Sequence, residues 1–241
     1  MVLTSQYSCP FELVVTLTID GPASFIAPPC HDPVEILYAD EYCLLINKPS
    51  GLLSVPGRLE ENRDCAITRV QETYPDALIV HRLDMDTSGI MVIARGKESH
   101  RHFSIQFQDR HADKAYVAWV DGIVQDDEGS MAQPMRCDWP NRPKQMVDYE
   151  LGKSALTLYK VIERDPANHR TLLELKPVTG RSHQLRVHTA AMGHPILGCR
   201  FYGTERSIAA AERLQLHASF LSIAHPVYPE RLEMHCPPEF T

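Results

Sequence analysis

Along the chain, apolar residues fall in short runs and two-residue alternations more often than in long helical stripes. Residues 35–38 and 43–47 read as strands on either side of an acidic turn at Asp40 and Glu41, and Lys48-Pro49-Ser50-Gly51 is a turn signal. The run GIMVIA (89–94) predicts an apolar strand, and KAYVAWV (114–120) alternates as a strand does. Further strands are predicted at 155–162, 171–175, 214–223 and 231–235. Helices are fewer. One is predicted over 66–73, ending before Pro75, and one over 99–110, where Phe103 and Phe107 share a face. A third, over 182–192, follows a turn at Gly180. Many strands with few, irregularly placed helices predict an α+β fold: a mostly antiparallel, mixed sheet with flanking helices, not a doubly wound one. Residues 1–33 read as an N-terminal extension to a domain over 34–241. Prolines 10, 22, 28, 29 and 33 interrupt helix there and leave 13–19 (LVVTLTI) as a short strand.

Composition narrows the class. The 241 residues are 44% hydrophobic and 23% charged, which excludes a disordered or collagen-like chain. No apolar run approaches the roughly 18 residues of a membrane span. The first Lys or Arg is Lys48, so a basic signal-peptide start is missing. Seven cysteines with no C-x-x-C pair fit neither a disulfide framework nor a structural zinc site. A reduced, cytoplasmic protein is expected. The net charge of −7 argues against indiscriminate nucleic-acid binding, yet the charge is uneven: residues 136–206 hold 12 basic and 7 acidic side chains. That stretch is either a local face for a polyanion or an ordinary solvated surface.

Two segments concentrate chemistry. In HRLDMDTSG (81–89), two carboxylates, an Arg and a His precede a strand. A loop at a strand end suits a reactive carboxylate, while composition alone also fits a surface turn with Asp paired to Arg82. In PVTGRSHQLRVH (177–188), a turn opens a helix bearing two Arg, two His and a Gln, which fits anion binding or a solvated amphipathic helix. His183 and His188 lie five apart and so do not share a helix face as H-E-x-x-H ligands would; no metal is expected. The patterns G-x-G-x-x-G, G-x-x-x-x-G-K-[ST] and G-x-S-x-G are all missing, leaving nucleotide cofactors and a serine nucleophile unsupported.

Taken in order, the strings NKPSGLLSVPG (47–57), HRLDMDTSG, KAYVAWV, GRSHQLRVH (180–188) and RLQLHA (213–218) resemble the RluA family of pseudouridine synthases. The resemblance runs from about Val34 to the C-terminus and includes no N-terminal S4-like RNA-binding module. It implies that Asp84 is the catalytic carboxylate and that Arg186 pairs with it. Tyr116 would lie against the target uracil and relay the proton lost from C5. His81 and Arg82 would touch the RNA backbone and fill the gap left by a flipped nucleotide. Lys48, Arg142, Lys144 and Arg181 are expected to join the backbone contacts. The resemblance further implies two substrates, a tRNA anticodon stem-loop and a 23S rRNA hairpin, with no cofactor and no obligate protein partner. Isomerising a uridine gains and loses no atom, in keeping with the missing nucleotide motifs. Two rivals stay open: a non-catalytic RNA-binding module on the same fold, and a metal-dependent hydrolase built on the histidines.

Overall fold

The apolar runs near residues 45 and 91 become the most buried strands because both faces of the sheet are covered there. The computed structural model describes residues 25–240; the strand expected at 13–19 lies outside them. Strand β1 (Glu35–Ala39) pairs with β2 (Cys43–Lys48), and β2 with β4 (Ser88–Arg95), whose outer end also takes β3 (Ala77–Ile79). Along β2, Leu44 and Ile46 turn to one core with helix α1 (Ala66–Gln71), while Cys43 and Leu45 turn to another with Phe103 of helix α2 (Gly96–Gln108). Side chains on alternate faces of a strand are thus all apolar when each face packs against a helix.

The rest of the main sheet is β5 (Asp113–Asp121), β6 (Glu128–Met131), β9 (Thr157–Asp165), β10 (Arg170–Pro177), β11 (Leu216–Ala224) and β12 (Arg231–His235). Its order is β1-β2-β4-β11-β5-β10-β9-β6, with β12 on β11 and β3 on β4. Among the described residues, only the β4–β11 pair in it is parallel, so the expected α+β, mostly antiparallel sheet is what forms. A separate hairpin joins β7 (Met135–Cys137) to β8 (Gln145–Val147), and α3 (Gln184–Ala191) and α4 (Glu205–Ala209) are the remaining α-helices among the described residues. β3, β6, β7, β8 and α4 were not expected. Each is five residues or fewer, too short for a period to register.

Residues 25–33 are not a free extension. Asn62 accepts the Ala27 N–H and donates to Phe25 O, while Arg69 donates to the carbonyls of Cys30 and Asp32. No helix among the described residues is long and apolar enough to cross a membrane.

The register at the sheet centre brings distant segments together. Gly89 pairs with Ala218, Ala218 with Tyr116, and Tyr116 with Leu175. The loop before β4, the middle of β5 and the end of β10 therefore meet on adjacent strands. Gly89 has φ +112°, and a Cβ on it would sit 2.3 Å from Ala218 O. Only glycine allows this close parallel approach. Gly89→Ala is expected to destabilise the protein by more than about 3 kcal/mol in urea titration; a change below about 1 kcal/mol would contradict this account of the junction.

Candidate active site

The loop 81–87 is fastened from one side by residues 48–54. Ser54 Oγ donates to Leu83 O (2.7 Å) and accepts the Leu83 N–H (3.1 Å). Lys48 Nζ donates to the carbonyls of Pro49, Leu52 and Met85 at 2.7–2.9 Å, and Ser50 Oγ donates to Asp86 O. The Gly51 N–H also reaches Met85 O. The loop closes on itself where the Thr87 N–H donates to Asp84 O. At its exit, Ser88 Oγ accepts from Arg213 and donates to His217 Nδ1, whose Nε2–H is spent on Cys236 O. The NKPSGLLS and RLQLHA strings are thus clamps on the HRLDMDTSG loop.

This corrects one expectation. Lys48 is fully buried and has all three ammonium hydrogens committed to carbonyls, so it is out of reach of an RNA backbone. Burial pulls its pKa down to about 7.

From the opposite side comes α3, and it is not an amphipathic surface helix. Residues Gln184 to Thr189 are all buried. Gln184 accepts from Thr179 Oγ and the Arg181 N–H and donates to Leu156 O and Thr157 Oγ, fixing the helix entrance. His188 Nδ1 accepts from Thr157 Oγ and its Nε2–H donates to Gln133 O, which fixes the next turn. Between these anchors Arg186, 2% exposed, places Nη1 at 3.2 Å from Asp84 Oδ2 and Nε at 3.4 Å from Cys199 Sγ. Its guanidinium also lies 5.2 Å from the Phe201 ring centroid and 5.6 Å from that of Tyr202. Burial works against the charge, but Cys199 and Asp84 more than offset it and leave the Arg186 pKa raised. Nη2 is buried and has no protein partner among the described residues.

Asp84, Tyr116 and Arg186 line one cleft of about 1000 Å³, together with His81, Arg82 and Arg181. Burial, and then the Asp84 charge, push the Tyr116 phenol well above its ordinary pKa, so it is neutral at pH 7. His81 stacks on Phe107 at 4.3 Å and its Nε2 accepts the Val92 N–H. Burial lowers its pKa to about 3, so it brings an aromatic ring but no positive charge to the cleft. Arg82 and Arg181 are exposed cations at the cleft wall. Arg142 and Lys144 do not line it. They sit at the end of the β7–β8 hairpin, with Arg142 exposed and 4.7 Å from the centroid of the Trp139 ring.

The geometry adds residues that sequence reading passed over. His183 lies 3.7 Å from Asp84, and Lys114 enters the cleft beside Phe107. The signal for Lys114 was present, since strand alternation puts it on the face of Tyr116. In the sequence His183 reads as a metal ligand or as one of the polar groups of an anion-binding helix, not as a neighbour of Asp84. Among the described residues, the one group with metal-like spacing is Asp40, Cys43 and His225. It does not fit an ion: Asp40 already takes hydrogens from Tyr38, Tyr42, Cys43 and His225, and His225 Nδ1 takes those of Val227 and Tyr228.

A carboxylate and a neutral phenol thus share one cleft, and a buried guanidinium holds the carboxylate. The RNA pseudouridylate synthase family model matches residues 42–191. The chain belongs to that family. It is similar to the dual-specificity RNA pseudouridine synthase RluA of Salmonella typhimurium, 52% identical over 213 residues, or 88% of this chain and 97% of the relative. The Yersinia pestis protein of the same name is 53% identical over 85% of this chain and 99% of its own. Among solved structures, human RNA pseudouridylate synthase domain containing 1 superposes with a TM-score of 0.75 at 28% identity, covering 89% of this chain and 87% of that one. Human domain containing 4 gives 0.67 at 29%, covering 86% and 89%. The protein is an RNA pseudouridine synthase, an isomerase of uridine in RNA.

If Lys48 latches the loop instead of touching RNA, Lys48→Met should lower stability by about 2–4 kcal/mol, since the carbonyls of Pro49 and Leu52 lose their donor while Met85 O keeps only the Gly51 N–H. The salt dependence of RNA binding, measured on folded protein at low temperature, should keep its wild-type slope. A slope reduced by about one would return Lys48 to the RNA interface.

Proposed function

We propose that this synthase acts in the cytoplasm on flipped-out uridines of RNA stem-loops, a tRNA anticodon stem-loop and a 23S rRNA hairpin, with Asp84 as its catalytic carboxylate. The observation that carries the catalytic assignment is the position of Asp84: it lines the cleft that also holds Tyr116, on a loop clamped at Leu83, Met85 and Asp86. The RluA relatives, named as dual-specificity enzymes, support the pair of substrates. Residues 34–241 form the catalytic domain in this reading, with residues 25–33 packed against it.

The chemistry is a balanced exchange of bonds. The uridine C1′–N1 bond breaks, the base turns, and C5 bonds to C1′; C5 loses its hydrogen and N1 gains one. Asp84 acts at the ribose, as nucleophile at C1′ or as base at a neighbouring C–H. Tyr116 stacks against the uracil and, being protonated, passes on the C5 proton only by giving up its own in the same step. A stacked base must first leave its helix at a cost of a few kcal/mol, which favours loop nucleotides. Arg82 and Arg181 meet phosphates at the cleft wall, and the neutral ring of His81 fills space behind the extruded base. Arg142 and Lys144 make a second phosphate contact on the hairpin. These basic groups explain how a chain of net charge −7 holds RNA at one place.

The test is tritium release from RNA carrying uridine labelled at C5, with the two stem-loops as separate substrates. Wild-type protein should release tritium from both. Asp84→Asn should release none while binding RNA within about 1 kcal/mol of wild type, since it removes chemistry and not phosphate contacts. Tyr116→Phe should slow release by at least about 100-fold. Turnover by Asp84→Asn would refute the carboxylate's role, and release from only one RNA would refute dual specificity.

A further inference from the structure

The ring of His183 stands beside the catalytic carboxylate on a backbone that disfavours it. At the entrance to α3 it has φ 54° and ψ 16°, the left-handed region, which Gly or Asn enters at lower cost than His. Its side chain caps nothing in the helix. Strain held at a cleft calls for a reason in the side chain.

The ring's surroundings supply one. Its side chain is 10% exposed, stacked near Phe201 at 5.6 Å and met edge-on by Tyr202 at 5.6 Å. Nδ1 lies 2.6 Å from Tyr202 Oη, and the same oxygen accepts the backbone N–H of Gln145 at 2.8 Å. A backbone N–H can only donate, so it occupies one lone pair of the phenol. The phenol's own hydrogen then has Nδ1 as its acceptor; a hydrogen on Nδ1 would leave the Tyr202 O–H without one. Burial pushes the Tyr202 pKa up to about 12, which keeps that hydrogen in place. The imidazole proton must therefore sit on Nε2, and Nε2 faces Asp84 Oδ2 at 3.7 Å, the oxygen that Arg186 Nη1 also approaches. Burial lowers the His183 pKa against the pull of Asp84, keeping the ring neutral among Asp84, Asp86, Arg82 and Arg186.

We propose that His183 is a positioning residue: with its proton fixed on Nε2 by Tyr202, it joins Arg186 in holding Asp84 Oδ2, and so turns Asp84 Oδ1 toward the target nucleotide. The inference rests on Asp84 being the catalytic carboxylate. It also makes Tyr202, which touches the loop end of the β7–β8 hairpin through Gln145, part of the apparatus that orients the carboxylate. At 3.7 Å the contact is an N–H dipole aimed at the carboxylate and not a formed hydrogen bond.

Nuclear magnetic resonance of the ring nitrogens tests the tautomer without reference to activity. Long-range proton–nitrogen correlation on wild-type protein, with the His183 signal identified by its loss in His183→Gln, should show hydrogen on Nε2 alone. Hydrogen on Nδ1, or on both nitrogens at pH 7.5, overturns the proposal, whereas failure of the Asp84 reading would appear as turnover by Asp84→Asn with this tautomer unchanged. Kinetics supply the second arm. His183→Gln keeps a donor at the reach of Nε2 and should stay within about threefold of wild-type kcat. His183→Asn suits the left-handed backbone better but has no donor at that reach, and should lose about tenfold in kcat with KM within about twofold. Tyr202→Phe should cost a similar factor in kcat and release the tautomer. If the Asn variant matches or exceeds the Gln variant, the residue serves only the helix entrance and the proposal fails.

Discussion

A guanidinium that water scarcely reaches needs its charge matched within the protein, and Arg186 finds its match in Asp84 across the cleft. Such a pair is costly to desolvate, and breaking it strands a charge, so both partners must be held by the rest of the fold. The two supports are independent. The Asp84 loop hangs from β4 and is clamped by Lys48, Ser50 and Ser54, while α3 is anchored by Gln184 and His188 to the start of β9 and the loop before β7. The sheet joins them through the Gly89–Ala218–Tyr116–Leu175 row, which also sets the phenol in the same cleft.

This arrangement divides the work of charged groups. Buried basic side chains serve geometry: Lys48 holds carbonyls and Arg186 holds the carboxylate. Exposed ones are Arg82 and Arg181 at the cleft wall and Arg142 on the hairpin. The hairpin bearing Arg142 and Lys144 is tied to the cleft through Gln145, Tyr202 and His183.

Much of the fold was legible because burial on both sheet faces leaves continuous apolar runs, as in β2 and β4, and because Phe103 and Phe107 mark the inner face of α2. What stayed hidden depends on partners remote in sequence. Nothing near Lys48 announces that the carbonyls of residues 49, 52 and 85 converge on it, so its charge read as a surface feature. Asp84 and Arg186 are 102 residues apart, and only the family resemblance joined them before the structure did. The helix predicted from 182 starts at Gln184, since His183 is left-handed, a choice made by Tyr202 and the cleft and not by local propensity.

The dependence of the site on the buried ion pair is tested most directly by Arg186→Met, followed by single-turnover isomerisation of a stem-loop at saturating protein. Methionine fills much of the same space and removes only the charge and its hydrogen bonds. The account predicts a folded protein whose RNA Kd changes by less than about threefold and whose rate of isomerisation falls by at least about 100-fold, roughly 2.7 kcal/mol of transition-state stabilisation. A rate close to that of wild type, or a loss confined to RNA affinity, would contradict it.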